Sequence, residues 1–278
     1  MAWEQQTITT VTAGSQLHKA LLSIGLQPTD SCIVHTRMSA FGFIPGGEQA
    51  VVSVLKKVLA DGDIIMPAQS TDLSSPEGWG YPPVDPSLIS SVHAALPAFD
   101  PYLTPVHGLG RIPEYFRALH NTRRSLHPLY SMAAWGKHAD WICETRTYDM
   151  PFGEDGPLDK LYQLDGKVLF LGTGFDTCTA IHYAESTIGR PLIQEAAPVG
   201  KTDPDQHKAS AEWITYDNVE LDKYDDFTAF GHHFMDTGPS AIRSIELNGA
   251  RIITFPIRTL ISRAREYYRN KDREMQNL

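Results

Sequence analysis

Cysteine, long apolar runs and export signals are scarce or missing in this sequence. Its 278 residues include three cysteines, Cys32, Cys143 and Cys178, and none belongs to a CxxC pair. This spacing argues against a disulfide framework and against a cysteine-based zinc site. No apolar run approaches the roughly 18 residues of a membrane-spanning helix, and the N-terminus has no basic segment before an apolar core. We therefore expect neither export by a recognisable signal nor a membrane anchor, and we place the protein in the reducing cytoplasm.

Basic side chains are also in the minority. The chain has 24 Lys and Arg against 33 Asp and Glu, which gives a net charge of −9 without a long block of either sign. This balance argues against a nucleic acid or an anionic membrane as a partner. It fits a cationic partner, although many cytosolic enzymes are equally acidic.

The hydrophobic pattern predicts an α/β fold. Hydrophobic residues make up 42% of the chain and charged residues 21%, which allows a sizeable core without metal or disulfide support. A strand at 31–35, a helix at 48–60 and a strand at 64–68 follow one another, which favours a parallel strand pair. Further helices are predicted at 137–148 and at 258–268, the latter before a polar tail. We expect a central mixed, largely parallel sheet flanked by helices, with a C-terminal β-rich portion and hairpin.

The length is compatible with a single domain spanning residues 1–278. Residues 69–106 form a long irregular insertion rich in Ser, Pro, Gly and aromatic residues, and such insertions are usually functional. Residues 190–260 are strand-like and are a candidate β-rich lobe for substrate binding. The dipeptide Asn248-Gly249 within them is typical of a tight hairpin.

The stretch LGTGFDTCTAIHYAES (residues 171–186) predicts a strand, a glycine-containing turn and a helix that carries His182 and Glu185. Residues three apart on a helix share a face, so the carboxylate can hold one imidazole nitrogen while the other faces a substrate, as a general base requires. The helix begins at the carboxyl end of a sheet strand, where α/β proteins bind ligands. An ordinary surface or core pair is the alternative. The glycines lack the third member of a dinucleotide fingerprint, so we predict no Rossmann site.

Two further segments could bind an anion or a carbonyl group. In VHTRMSAFGFIPGGEQA, His35 ends a strand and a loop of small residues precedes a helix, so exposed backbone N–H groups could hold a carbonyl or a phosphate. In RRSLHPLYSMAAWG, Arg123 and Arg124 could anchor phosphates, with Ser125 and His127 adding hydrogen bonds. The alternative for the first segment is a tight turn whose histidine is hydrogen-bonded within the protein. The alternative for the second segment is a solvent-exposed arginine pair.

Cys178 lies four residues before His182, so Cys–His nucleophilic catalysis is a second chemical hypothesis. A buried, inert cysteine is the commonest kind, however. Four other histidines could build a metal site with His182, namely His107, His127, His232 and His233. No HExxH or HxH grouping supports such a site, so we predict none.

Three blocks of the sequence resemble the aminoglycoside 3-N-acetyltransferase family, the antibiotic acetyltransferases unrelated in fold to the GNAT enzymes. The block VHTRMSAFGFIPGG is similar to the family's VHSS-type loop, and IIMPA follows it. The block from FDPYLTPVHGLGRIPEYFR to RRSLHPLYSMAAWG resembles the FDP-x-x-TP, L/MG and RSxHP segments. LGTGFDTCTAIHYAES is similar to a G-x-G-x-x-x-x-T-x-x-H-x-A-E pattern. The resemblance extends roughly from Ser15 to the final helix, and RSxHP followed by HxAE is far more specific than either alone.

This resemblance implies a single antibiotic acetyltransferase domain that transfers an acetyl group from acetyl-CoA to an amine of a polycationic aminoglycoside, expected to be the 3-amino group. Transfer would be direct, in a ternary complex without a covalent acyl-enzyme. His182 corresponds to the family's catalytic histidine, the general base, and Glu185 would orient its ring or bind a substrate amine. Thr179 or nearby backbone N–H groups are candidate donors to the oxyanion. His35 matches a family histidine near the reaction centre.

The resemblance also implies contacts to both substrates. The loop after His35 is similar to the family segment that cradles the pantetheine and pyrophosphate of CoA. The residues assigned to cofactor binding are His35, Thr36, Met38, Ser39, Gly42, Arg124 and Ser125. Asp72 and Glu77 in the insertion, with Glu185 and the acidic stretches YDNVELDKYDDF and FMD, are candidates for binding the cationic drug. A solvated acidic face is the alternative for each of them.

The chain departs from the family pattern in two places, and other functions stay open. Cys178 stands where members often have Asn, and Thr36 followed by Arg37 replaces the usual serine after VH. A related acyltransferase could act on a different amine, or Cys178 and His182 could form a nucleophilic acyltransferase or hydrolase. A module that sequesters CoA or cationic drugs without turnover is a further alternative. A homodimer is compatible with the sequence.

Overall fold

The computed structural model describes residues 7–202, 209–238 and 240–276. The helices are α1 (Gly14–Ser23), α2 (Gly47–Val58), α3 (Ile89–Ala95), α4 (Arg111–Arg117), α5 (Ala139–Ile142), α6 (Pro157–Gln163), α7 (Ile181–Ser186), α8 (Phe227–Asp236) and α9 (Ile257–Gln276). The strands are β1 (Ser31–Thr36), β2 (Asp63–Pro67), β3 (Arg123–Arg124), β4 (Met132–Gly136), β5 (Lys167–Leu171), β6 (Leu192–Thr202), β7 (Ala209–Val219), β8 (Arg243–Leu247) and β9 (Ala250–Pro256). None of these helices combines the length and the apolar composition needed to cross a membrane.

The described strands form a central sheet of seven, in the order β3-β4-β2-β1-β5-β9-β8. Strand β1 lies between β2 and β5 and pairs in parallel with both, as the strand, helix, strand pattern predicted. The other four pairings are antiparallel. The α/β class, the mixed sheet flanked by helices and the C-terminal hairpin are confirmed. Parallel pairing is confined to the three central strands, a smaller share than the sequence suggested.

Strand β1 shows how the sheet separates two cores. Successive side chains of a strand point to opposite faces. Cys32 and Val34 accordingly pack with α1 and α2 on one face, while Ile33 packs with α7 and α9 on the other. A strand covered on both faces requires the continuous apolar run that β1 has. His35 shares the face of Ile33, and its ring lies 5.6 Å from that of Phe170, on the side of the sheet that α7 covers.

Two helix predictions were wrong in extent. The helix predicted at 137–148 is the single turn of α5, and the following chain is held instead by Lys160, whose ammonium donates to the Glu144 carbonyl at 2.7 Å. Helix α9 runs to Gln276, well into the predicted polar tail. Residues 269–276 contain neither glycine nor proline and are rich in strong helix formers, so nothing in them stops the helix.

Residues 190–260 fall into two parts. Strands β6 and β7 form an antiparallel sheet of their own, and α8 follows them. Strands β8 and β9 instead extend the edge of the central sheet. Their turn has φ 52° at Asn248 and 84° at Gly249, the left-handed values that a two-residue hairpin needs, so the predicted hairpin is confirmed. A single domain and a substrate-binding role for this region stay predictions.

Candidate active site

The carboxyl ends of β1 and β5 are adjacent, and the loops that follow them touch. The Arg37 backbone N–H donates to the Leu171 carbonyl at 2.8 Å. Gly172, with φ 70°, lies so close to the first loop that an added Cβ would come within 2.8 Å of the Ala40 Cβ and 2.9 Å of the Arg37 carbonyl oxygen. The contact between the loops therefore requires glycine at position 172. This packing explains the residue without a role in phosphate binding.

His182 and Glu185 form a hydrogen-bonded pair on α7. The chain leaves β5, passes through a 3₁₀ turn at Phe175–Thr177 and enters α7, on which Nδ1 of His182 lies 2.8 Å from Oε2 of Glu185. The imidazole is 15% exposed. It stacks on Phe152 at a centroid distance of 5.0 Å and contacts Phe227 at 5.1 Å. The two aromatic rings and the carboxylate together fix the imidazole plane, and they leave Nε2 as the nitrogen that can exchange a proton.

Glu185 is fully buried and has partners on both carboxylate oxygens. Arg190 donates to Oε1 at 2.8 Å, and the backbone N–H of Asp222 donates to Oε2 at 3.1 Å. Burial raises the pKa of Glu185, but the hydrogen bond and charge of His182, with the hydrogen bonds from Asp222 and Arg190, outweigh burial and hold the pKa below its usual value. The ionised carboxylate accepts the Nδ1–H of His182, so the ring nitrogen with the free lone pair is Nε2.

Arg190 is a site residue that the sequence analysis missed. Its Nε donates to Asp272 at 3.0 Å, and the guanidinium lies 5.5 Å from the ring centroid of Tyr224 and 5.4 Å from that of Tyr268. Asp272 also accepts the Tyr224 hydroxyl at 2.6 Å. The guanidinium therefore balances the charge of Glu185 and ties α7 to α9. A fully buried glutamate requires such a partner, but its spacing in the sequence does not reveal which residue provides it.

His35 lies near the His182–Glu185 pair, called the dyad below, but its imidazole is neutral. It is 5% exposed, and burial, followed by the positive charge of His182, lowers the pKa of His35 to about 3. Within the described residues, its buried Nε2 has no hydrogen-bond partner. His35 is therefore neutral near physiological pH. A neutral imidazole can still donate one hydrogen bond, but this one does not titrate in the range where a general base must.

A cavity of about 490 Å³ opens beside His35. Predicted cofactor residues line it together, namely His35, Thr36, Met38 and Ser39, and residues 108–113 line it as well. Arg37 also lines it, with a 62% exposed side chain whose guanidinium is 3.9 Å from Asp176. A guanidinium so loosely paired can bind a phosphate. The lining thus suits a long ligand with an anionic end.

The other predicted cofactor residues lie outside the lining of this cavity. An added Cβ at Gly42 would come within 2.7 Å of the Thr10 carbonyl, so packing against the N-terminal segment explains this glycine. Ser125 Oγ accepts the Met132 N–H at 2.9 Å. Arg124 is buried and donates to the carbonyls of Ala68, Pro101 and Thr104 and to the hydroxyls of Ser70 and Ser131. Arg124 thus holds the insertion to the sheet, and Ser125 is hydrogen-bonded to strand β4.

The remaining predicted site residues are divided between the dyad and the insertion. Thr179 is buried, and its carbonyl accepts the His182 N–H at 3.1 Å, which places it at the start of α7. Asp72 lies 2.9 Å from His107, and Glu77 lies 3.0 Å from His93. Both of these carboxylates are on the surface of the insertion and are paired there.

His127 is a buried structural histidine. Its Nδ1 accepts the N–H groups of Leu129 and Tyr130, at 3.2 and 3.0 Å, and its Nε2–H donates to the Tyr148 carbonyl at 3.0 Å. Burial lowers the pKa of His127 to about 3. In the ranges that the structure covers, no group of three or more His, Cys, Asp or Glu side chains is arranged to hold a metal ion.

The two buried histidines predict an acid-sensitive fold. His35 and His127 take up protons near their ordinary pKa in the unfolded chain but only near pH 3 in the folded one, so between these values the free energy of unfolding rises with pH. We expect each to cost on the order of 2 kcal/mol of stability between pH 7 and pH 5. Urea unfolding across this range measures the effect. His127→Asn should flatten the pH dependence while exposed His120→Asn leaves it unchanged, and equal slopes in both variants would refute the assignment.

Comparison with known proteins shows what this chain is similar to. The sequence model of the family described as aminoglycoside 3-N-acetyltransferase matches residues 33–269. The chain is 38% identical over 182 residues to the SPbeta prophage-derived aminoglycoside N(3')-acetyltransferase-like protein YokD of Bacillus subtilis (strain 168), which covers 64% of this chain and 67% of that protein. It is 35% identical over 189 residues to aminoglycoside N(3)-acetyltransferase VIII of Streptomyces fradiae, covering 65% and 63%. The alignments thus span about two thirds of these relatives.

Solved structures extend the similarity over nearly the whole chain. The crystal structure of YokD from Bacillus subtilis has a TM-score of 0.86 and 30% identity, and the match covers 97% of both chains. The AAC-IIIb structure, a binary complex with CoASH, has a TM-score of 0.79 and covers 94% of this chain and 98% of that one. Its identity is 23%, so this second match establishes a shared fold.

Proposed function

The chain belongs to the aminoglycoside 3-N-acetyltransferase family, and we propose that it transfers an acetyl group from acetyl-CoA to the 3-amino group of a polycationic aminoglycoside. The proposal rests on one observation, that the dyad of His182 and Glu185 lies beside the cavity that His35 lines. Nδ1 of His182 lies 2.8 Å from the buried, ionised Glu185, and the cavity of about 490 Å³ opens next to the neighbouring His35.

His182 acts as the general base. An amine that is protonated at neutral pH has no lone pair for attack, so it must lose a proton before the new bond can form. The free Nε2 accepts this proton, and the resulting imidazolium is stabilised by the ionised Glu185. The hydrogen bond and charge of His182, with the hydrogen bonds from Asp222 and Arg190, keep that carboxylate ionised although it is buried. The nitrogen then attacks the thioester carbonyl carbon directly, and the C–S bond breaks as the tetrahedral intermediate collapses. CoA leaves as a thiolate that takes up the second proton lost by the nitrogen, so the products are the amide, free CoA and the proton first taken up by His182.

The cavity beside His35 fits the cosubstrate. The loop from Thr36 to Ser39 lines it, and Arg37 is the cation available for a phosphate. The structural neighbour solved with CoASH has the same fold, which supports a CoA site in this family of structures. His35 is neutral, so it can donate a hydrogen bond toward the developing oxyanion without adding charge, and Thr179 at the start of α7 is a second candidate donor.

The alternative nucleophile is disfavoured by its environment. Cys178 is fully buried, and burial raises the pKa of its thiol to about 12. We therefore expect Cys178→Ala to keep the turnover number within about threefold of wild type. Initial rates of thiol release measure this, with the similarly buried Cys143→Ala as the control. A folded Cys178→Ala protein that loses nearly all activity would point to an acyl-enzyme instead.

An acceptor panel tests the proposal. Free-thiol release from acetyl-CoA is followed with several aminoglycosides, with simple monoamines and without acceptor, and the products are analysed by mass spectrometry. The proposal predicts release that depends on the aminoglycoside and a product carrying one acetyl group. Release driven by a simple amine alone would favour an acyltransferase with another natural acceptor. Binding of CoA or of the drugs without any product would favour a sequestering module. A cytoplasmic location and a homodimer stay predictions.

A further inference from the structure

Asp272 continues the buried face of α9 with a charged side chain. The buried residues of this helix include Ile261, Ala264 and Tyr268, which are three or four positions apart, and Asp272 follows Tyr268 by four positions. This spacing predicts an apolar residue at position 272. The side chain of Asp272 is 19% exposed, and a carboxylate in such a place requires partners. The match to the family's sequence model ends at residue 269, so it assigns no role to Asp272.

Arg190 is the main partner of Asp272, and two hydrogen bonds join them. Nε of Arg190 donates to Oδ2 of Asp272 at 3.0 Å, and Nη2 donates to Oδ1 at 3.2 Å. The hydroxyl of Tyr224 also donates to Oδ1, at 2.6 Å. The rings of Tyr224 and Tyr268 lie against the guanidinium. A guanidinium bound through two nitrogens and packed between rings has a fixed orientation.

The third nitrogen of the guanidinium faces the dyad. Nη1 of Arg190 donates to Oε1 of Glu185 at 2.8 Å. The other oxygen of Glu185, Oε2, lies 2.8 Å from Nδ1 of His182. One carboxylate oxygen therefore serves the cation and the other serves the imidazole. A guanidinium that was free to turn would form its bidentate bond with Glu185 instead and would compete with His182 for Oε2.

We propose that Asp272 is a positioning residue for acetyl transfer, which binds Nε and Nη2 of Arg190 and thereby reserves Oε2 of Glu185 for His182. Asp272 also offsets the positive charge that Arg190 would otherwise place beside the imidazolium. This inference rests on the proposed function, in which His182 takes the proton from the acceptor amine. Asp272 acts through Arg190 and Glu185, because both of its bonds to the guanidinium are made to nitrogens that do not bind Glu185.

Other charged and titratable groups also face the dyad or Arg190. They are His35 on β1, the loop residues Asp222, Lys223, Asp225 and Asp226 after β7, and Arg269 and Arg273 on α9. All of them are unchanged in variants at position 272. A difference between such a variant and the wild type therefore reports on the charge and the hydrogen bonds of Asp272.

The test is the pH dependence of turnover in Asp272→Asn. Asparagine keeps the size of the side chain but has one acceptor oxygen and no charge, so Arg190 should turn toward Glu185 and the imidazolium at His182 should lose stability. We expect the acid limb of the kcat profile to move on the order of half a pH unit toward lower pH, the scale of one partly exposed charge acting across two side chains. The plateau should fall by up to about threefold, because a weaker base takes the proton less readily. The KM for acetyl-CoA should stay within about twofold of wild type.

Two further variants make the comparison specific. Glu274→Gln is the matched control, because it removes a carboxylate charge at an exposed position of the same helix, and its acid limb should match that of the wild type. Tyr224→Phe keeps the ring against the guanidinium but removes the hydroxyl that donates to Asp272. The charge of Asp272 then acts more fully on Arg190, so the limb should move slightly toward higher pH. Thermal unfolding checks that each variant is folded.

Three results would overturn the inference. An Asp272→Asn profile that falls equally at every pH would mean that Asp272 has a structural role alone. Equal shifts in Asp272→Asn and Glu274→Gln would reduce the effect to net charge. A shift of Tyr224→Phe toward lower pH would have the wrong sign, and this variant still tests the inference if Asp272→Asn does not fold.

Imidazole NMR separates this inference from the proposed function. The protein is labelled with ¹⁵N-histidine, and the His182 signals are those that disappear in His182→Gln. Without any substrate, the midpoint of the His182 titration should move toward lower pH in Asp272→Asn, by the same amount as the acid limb. If the protein acetylates nothing, the proposed function fails, and this shift would still support the link from Asp272 to the dyad. If acetylation occurs and the titration is unchanged in Asp272→Asn, the positioning role of Asp272 alone fails.

Discussion

His182→Ala should lower the turnover number by roughly a hundredfold or more with both substrates saturating. The substitution removes the imidazole whose Nδ1 is held by the buried, ionised Glu185 and whose Nε2 is free to take up a proton. His35 cannot replace it, because burial and the charge of His182 lower the pKa of His35 to about 3. The Kd for CoA should change little, since the cavity walls do not include His182.

The measurement is single-turnover acetylation at pH 7 with purified wild type and variant. His182→Gln serves as a second variant that keeps polar volume between Phe152 and Phe227, and exposed His120→Ala is the control. Thermal unfolding confirms that each protein is folded. A folded His182→Ala protein with near-normal turnover would remove His182 from the chemistry.

Glu185→Gln is expected to reduce activity and stability together. Glutamine keeps the shape but removes the charge that stabilises an imidazolium at His182, so kcat/KM should fall at least roughly tenfold. The same change leaves the buried Arg190 with Asp272 as its remaining carboxylate. Breaking a buried charge pair in this way should cost on the order of 3 kcal/mol of unfolding free energy.

The stability loss at Glu185 has a pH signature. Because the folded pKa of Glu185 is depressed, its charge contributes stability above the unfolded pKa, and that contribution disappears as the pH falls through the folded value. The difference in unfolding free energy between wild type and Glu185→Gln should therefore be constant above about pH 6 and shrink in acid. Exposed Glu266→Gln on α9 should show neither effect. A difference that does not change with pH would mean that packing, not charge, explains the loss.

The sequence predicted the dyad because its elements are local. A strand, a glycine turn and a helix follow one another between residues 171 and 186, and the i, i+3 spacing puts His182 and Glu185 on one face whatever surrounds them. The loop after His35 was predicted for the same reason. It follows a parallel strand, and parallel neighbours bring their carboxyl ends to one edge of the sheet.

The missed and misplaced residues depend on contacts between distant segments. Arg190 reaches Glu185 while its guanidinium is held by Asp272 on α9, and the backbone N–H of Asp222 reaches Glu185 from the loop after β7. The sequence analysis included Asp222 in an acidic stretch, but no local pattern encodes either contact with Glu185. Arg124 matched a motif, yet five acceptors from the insertion and the sheet enclose its guanidinium. A buried structural arginine and a ligand-binding arginine can have the same neighbours in the sequence, so the fold is needed to distinguish the two roles.

The fate of a labelled acetyl group tests the central claim most directly. The protein is mixed with acetyl-CoA carrying ¹³C in the acetyl group, first alone and then with an aminoglycoside, and the label is followed by NMR. We predict that the signal stays that of the thioester until the aminoglycoside is added and then becomes that of an amide on the 3-amino group. Label that moves to the protein or to acetate before the acceptor is present, or to a hydroxyl afterwards, would contradict direct transfer to an amine.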